Sequence, residues 1–171
     1  MPSETTPSQR RFVLFIGVFL AYTIAVAVFG AYVRASMSGD GCGAHWPLCN
    51  GVVVPVAPSV QTLVELTHRV TSAACGLLAI LGVFWSLRAY PRGHLARIGA
   101  GLTLFFVITE GLVGAGLVLL EYVAESQELA RGYWMGAHLI NTFVLLTSIT
   151  VTGLFGAGVG APRAPRESVG A

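Results

Sequence analysis

The chain has 171 residues, of which 54% are hydrophobic and 11% charged, against roughly a quarter charged in an ordinary soluble domain. That balance excludes a soluble globular enzyme and indicates an integral membrane protein. Its net charge of +2 comes from ten scattered arginines and no lysine, which excludes a nucleic-acid-binding surface.

Met1 to Gln9 holds two prolines and no periodicity and reads as disordered; with Arg10 and Arg11 it makes an expected cytoplasmic tail over residues 1–11. An apolar run of about 22 residues follows from Phe12 to Val33, where roughly 20 suffice to cross the hydrocarbon core. It is too long for a signal-peptide core and no clean cleavage site closes it, so it reads as an uncleaved first span. From Arg34 to Thr62 the residues turn to Gly, Ser, Pro, Asp, Cys and Trp, which a lipid-exposed span does not tolerate. This predicts an ordered external loop. A second span runs from Leu63 to Leu87. Arg88, Pro91, Arg92, Gly93 and Arg97 then mark a tight turn in which His94 is expected to be merely solvated. A third span covers Ile98 to Leu120, an acidic connection carries Glu121, Glu125, Glu128 and Arg131, and a fourth span runs from Gly132 to Phe155. Residues 156–171 read as a second solvated cytoplasmic tail. The expected fold is an all-α membrane protein, an antiparallel four-transmembrane-helix bundle over residues 12–155.

Short cytoplasmic segments carry the excess of basic residues. Arg10, Arg11, Arg88, Arg92, Arg97, Arg163 and Arg166 fall on one side, whereas Arg34, Arg69 and Arg131 lie near the other. Both termini are therefore expected in the cytoplasm and the cysteine-bearing loop outside. In an oxidising compartment Cys42 and Cys49, seven apart, are expected to form a disulfide that Cys75, inside a span, cannot join. The competing account is a metal site using His45 between them, which has suitable ligand types but only three of them.

Ionisable groups inside a span are costly and are functional candidates. Glu65, His68, Ser72 and Cys75 share one helical face at the start of the second span. The plainer account makes Glu65 and His68 interfacial residues that reach for headgroups. His138 lies in the fourth span, which runs in the same direction, and each histidine sits five or six residues past its expected span start. At about 1.5 Å per residue the two are at matched depth, roughly 7–9 Å in. Two imidazoles on one level suggest bis-histidine haem ligation in a bundle core, with Gly76, Gly111, Gly114 and Gly116 giving a macrocycle room. The same glycines equally suit close helix packing.

These residues resemble the haem A synthases of cytochrome oxidase assembly. The resemblance rests on "GAYVRASMSGDGCGAHWPLCNG", "ELTHR", "EGLVGAGLV" and "AHLINT", and covers about residues 11–155. It implies a membrane oxidoreductase that converts the C8 methyl of haem O, the substrate, to the formyl group of haem A, with haem b as iron-bearing cofactor. On the matching motifs, Glu65 resembles the family's catalytic carboxylate, His68 and His138 its haem-iron ligands, and Cys42 and Cys49 its external disulfide. Arg34, Arg69 and Arg131 are candidates for pairing with haem propionates. Glu110 stands where the family more usually has Gln. Family members have eight spans in two similar halves, and this sequence resembles the half with the Cys loop. A homodimer would restore the eight spans and four histidines, and the resemblance implies a prokaryotic plasma membrane and work alongside a haem O synthase and cytochrome oxidase assembly partners. A non-enzymatic b-type membrane cytochrome and a haem-handling assembly protein are the other two readings.

Overall fold

The structure, a computed structural model, describes residues 6–159. Four helices occur in them: α1 (Pro7–Ala35), α2 (Val60–Ala89), α3 (Leu95–Leu119) and α4 (Leu129–Gly156). Each is long and apolar enough to cross a membrane, and no β-strand is present among the described residues. The all-α four-span expectation is met.

Helix starts fall three to five residues before the apolar runs begin, and for α1, α2 and α3 a polar side chain caps the extended start. Thr6 Oγ1 accepts the Gln9 N–H while Gln9 Oε1 accepts the Thr6 N–H, a reciprocal capping box, and Pro7 supplies a first-turn residue that needs no N–H partner. Pro7 to Gln9 are therefore helical, which corrects the reading of Met1 to Gln9 as wholly disordered; residues 1–5 lie outside the described residues. Ser59 caps α2 by accepting from Thr62 N at 3.1 Å. His94 caps α3, its Nδ1 accepting from Ala96 N at 3.1 Å, and its ring stacks on Tyr90 with centroids 4.5 Å apart. His94 is thus a helix cap and not merely a solvated residue. Most of the C-terminal tail, residues 160–171, lies outside the described residues.

Consecutive helices pack against one another and α4 closes onto α1, so α2 and α4 face each other diagonally, as do α1 and α3. The tightest pairing is α3 with α4. It depends on Gly99, where a Cβ would come within 2.5 Å of Thr152 Oγ1 and 3.2 Å of Thr152 Cα. The continuous apolar core is confined to one end of the bundle. Phe12, Ile16 and Phe19 from the start of α1 meet Cys75 and Ala79 of α2, Ala96 and Val107 of α3, and Leu145 and Ile149 of α4. Tyr90 closes this end, its ring against Phe12 and its hydroxyl donating to Gly156 O at 3.0 Å. Few apolar side chains are buried in the opposite half, under the loop.

The loop between α1 and α2 is fastened at several points. Cys42 and Cys49 form a disulfide, and Asn50 N donates to Cys42 O at 2.9 Å. The bridge removes the alternative of a metal site at Cys42, His45 and Cys49. Thr62 Oγ1 donates to Gly41 O at 2.7 Å, and Gly41 packs so closely on the Gln61 backbone that no Cβ fits there.

Candidate functional site

Two carboxylates and two imidazoles stand in the half of the bundle outside the buried apolar cluster. Glu65 is 3% exposed, on the inner face of α2. Its Oε2 accepts the Cys42 N–H at 2.8 Å, and its Oε1 accepts from Arg69 Nε at 3.0 Å and from Arg69 Nη2. The other guanidinium nitrogen, Nη1, donates to His45 O at 2.6 Å and Leu48 O at 2.7 Å. Glu65 and Arg69 therefore tie the disulfide loop down onto α2. An anion this deeply buried is tolerable because it is both paired and hydrogen-bonded.

His68 lies one turn further along α2. Its ring meets Phe29 edge-on at 5.9 Å and rests against Gly30 of α1, where a Cβ would stand 2.9 Å from Cε1. Its Nδ1 is buried without a hydrogen-bond partner. Glu65, although three residues away on the same face, does not bond to this imidazole; both of its oxygens serve the loop and Arg69.

His138 is on α4, diagonally across the bundle, nine residues past Leu129, where His68 is eight past Val60. The earlier helix starts move both deeper by the same amount, roughly 12–14 Å along helices that run in the same direction. Beside His138 is Glu110 of α3, its Oε1 3.4 Å from His138 Nδ1. That separation lacks hydrogen-bond geometry, and His138 Nδ1 is likewise a buried nitrogen with no hydrogen-bond partner. Glu110 accepts instead from Asn141 Nδ2 at 2.5 Å and from Thr142 Oγ1. Gly114 of α3 stands next to the His138 ring, where a Cβ would be 3.7 Å from Cε1.

The three arginines have different surroundings. Arg34, in the last turn of α1, is exposed. Arg131 donates through Nη1 to Ser126 O at 3.0 Å and keeps a buried Nε with no hydrogen-bond partner. Arg69 has four of its N–H groups engaged by Glu65 and the loop carbonyls, so it acts here as a clamp, with little left to offer a propionate. A cavity of about 710 Å³ opens between Asp40 to Ala44 and the α3–α4 connection. Its walls carry Asp40, Glu121, Glu125 and Glu128, a charge that repels an anionic ligand, and neither His68 nor His138 lines it.

A profile described as cytochrome oxidase assembly protein matches residues 13–168. The chain belongs to that family. Among relatives of this cytochrome oxidase assembly family member, a protohaem IX farnesyltransferase of Thermus thermophilus is 49% identical over 92% of this chain and 26% of its own length. A haem A synthase of Halalkalibacterium halodurans is 36% identical over 74% of this chain and 42% of its own. A haem A synthase of Shouchella clausii is 40% identical over 74% and 41% respectively. The chain thus spans about a quarter of the first relative and about two fifths of the haem A synthases. No solved structure matches it.

For a haem group, the donor set is suitable. Two imidazoles on diagonal helices make no hydrogen bond through their rings among the described residues, in the half of the bundle outside the buried apolar cluster. Glycine lies against each ring, and the Arg131 guanidinium retains an uncommitted donor. Sequence reasoning passed over the cluster of Glu110, Asn141, Thr142 and His138. The available signal was a carboxylate in the middle of an apolar span, Ile108-Thr109-Glu110-Gly111, which needs donors from a neighbouring helix.

Proposed function

We propose that this chain is a haem A synthase-like membrane oxidoreductase that converts the C8 methyl of haem O to a formyl group. The observation that carries the reading is the pair His68 and His138, set diagonally at matched depth with rings that make no hydrogen bond among the described residues, in a family whose relatives include named haem A synthases. Oxidation of an unactivated methyl group is cofactor chemistry: water supplies the formyl oxygen, and the four electrons that leave haem O, the substrate, would pass through the iron of a bound haem b to an external electron acceptor.

The side chains have the following parts in this reading. His68 and His138 ligate one haem iron. Arg34 and Arg131 pair with propionates near the loop end, a role for which Arg69 has few donors left. Glu65 is the catalytic carboxylate; with both oxygens already accepting hydrogen bonds, it offers a fixed negative charge more than a vacant proton-accepting site. Cys42 and Cys49 hold the loop over this end and restrict water. Two copies of the chain side by side supply the second histidine pair that the resemblance implies.

The bundle belongs in a prokaryotic plasma membrane with both termini cytoplasmic. Arg10, Arg11, Arg88, Arg92 and Arg97 all lie at the end away from the disulfide loop, which supports that orientation. The Thermus relative is named for farnesylating protohaem, which supports a working partnership with a haem O synthase alongside cytochrome oxidase assembly partners.

One observation favours a non-enzymatic b-type cytochrome or haem-handling assembly protein instead: Glu65 already has a complete structural role in anchoring the loop. Product analysis separates the readings. Purified wild type should carry haem A, or its hydroxylated precursor, beside haem B, while Glu65→Gln, which keeps an acceptor for the loop contacts but not the charge, should keep bound haem but stop oxidation of the methyl. Wild type with a bis-histidine spectrum and no oxidised product from haem O overturns the synthase reading in favour of the cytochrome.

A further inference from the structure

Glu110 is a membrane-embedded carboxylate that the chemistry above does not use. It sits nine residues before the end of α3, in a stretch of Phe, Val, Ile, Leu and Gly, where a charged side chain is costly unless neighbouring groups compensate it. The compensating groups come from one turn of α4. Asn141 Nδ2 donates to Glu110 Oε2 at 2.5 Å, and Thr142 Oγ1 is within donating distance of both Glu110 Oε1 and His138 O, serving one at a time. Asn141 is fixed in turn by Thr109 Oγ1, which donates to its Oδ1 at 2.7 Å, and by its own donation to Phe106 O at 3.0 Å. The carboxylate is thereby held in register with the residues that immediately follow His138. Its Oε1 faces His138 Nδ1 at 3.4 Å, a few tenths of an ångström beyond a charge-assisted hydrogen bond. The terminal torsion of an imidazole is soft enough to close such a gap.

We propose that Glu110 is the positioning residue of His138: it takes the Nδ1 proton as a hydrogen bond, fixes the tautomer, and leaves Nε2 as the nitrogen for iron. The two histidines are then inequivalent. His68 has no carboxylate on its ring, because Glu65 is turned to Arg69 and the Cys42 N–H, so only the α4 ligand gains electron density from an anionic neighbour. An anion hydrogen-bonded to an iron-ligating imidazole would stabilise the oxidised iron and lower its reduction potential.

The inference rests on the haem-ligand reading, and the test keeps the two apart. Full-length wild type, His138→Ala, Glu110→Gln and Glu110→Ala are purified in detergent and titrated with haemin, and each is followed by optical spectrum and redox titration. Glu110→Gln keeps an acceptor of the same shape but loses the charge. It should retain the low-spin bis-imidazole spectrum with a midpoint potential above wild type. Glu110→Ala should weaken haemin binding by about 10–100-fold. An unchanged midpoint in Glu110→Gln overturns the proposal and leaves Glu110 as a tie between α3 and α4, and Glu110→Gln alone decides if Glu110→Ala does not fold. If wild type takes up no haemin, or His138→Ala keeps the wild-type spectrum, the ligand reading itself fails and the proposal falls with it.

Discussion

Glu65 and Arg69, one turn apart on α2, form an ion pair whose remaining hydrogen bonds all go to the disulfide loop: Glu65 to the Cys42 N–H, Arg69 to the carbonyls of His45 and Leu48. The pair therefore joins a helix that crosses the membrane to a loop that does not. Removing one partner strands a buried charge, so Arg69→Ala should destabilise the bundle by about 3–5 kcal/mol. The double variant Glu65→Leu with Arg69→Leu should recover much of that loss, since no charge is left stranded. Unfolding in detergent, run as a double-mutant cycle, checks both. A cost for Arg69→Ala under about 1 kcal/mol, the range of an exposed pair, contradicts the clamp.

The disulfide closes a seven-residue separation, for which chain entropy alone gives a stabilisation of about 2–3 kcal/mol. Alkylation of unreduced membranes followed by mass spectrometry should label neither Cys42 nor Cys49. Cys75, buried at 5% exposure, should react only after unfolding. Rapid labelling of Cys42 in the native protein refutes the bridge.

Gly30 sets the position of the His68 ring. In Gly30→Ala the new Cβ stands 2.9 Å from Cε1 and 3.1 Å from Nε2, closer than side-chain carbons normally approach, so the imidazole must move. Haemin affinity should fall in this variant, while Gly17→Ala on the same helix, whose Cβ meets nothing within 4 Å, should bind as wild type. Equal affinity in the two variants counts against His68 as a ligand held by this contact.

At the far end, Tyr90 lies just beyond α2, 5% exposed, and donates to Gly156 O. Tyr90→Phe leaves that carbonyl without the bond and should cost about 1 kcal/mol. Burial pushes the phenol up to about 12, from about 10 in an unfolded chain. A folded-state value above the unfolded one contributes stability that is fully present below pH 10 and is lost as pH rises towards 12. Wild type should therefore lose stability more steeply than Tyr90→Phe across that window in detergent, and parallel pH curves would refute the assignment.

The membrane class, the four spans and the loop with its cysteine pair were legible in the sequence, because burial in lipid demands long uninterrupted apolar runs and excludes Gly, Pro and Asp clusters from them. Helix starts were legible only to within a few residues, since Thr6, Ser59 and His94 cap α1, α2 and α3 from outside those runs. The spacing of Glu65 and His68 put them on one helical face, yet three-residue spacing only makes contact available and does not choose the partner. Tertiary structure made that choice. The loop folds back and presents the Cys42 N–H and two carbonyls to Glu65 and Arg69, while Glu110, 28 residues from His138, is the carboxylate that meets an imidazole. Such pairings depend on the rotation of each helix about its axis and on the relative height of α3 and α4. Hydrophobic periodicity leaves both free, because a helix surrounded by lipid on one side and helices on the other is apolar nearly all round; close packing at Gly99 against Thr152 and the bonds from Asn141 and Thr142 to Glu110 fix them.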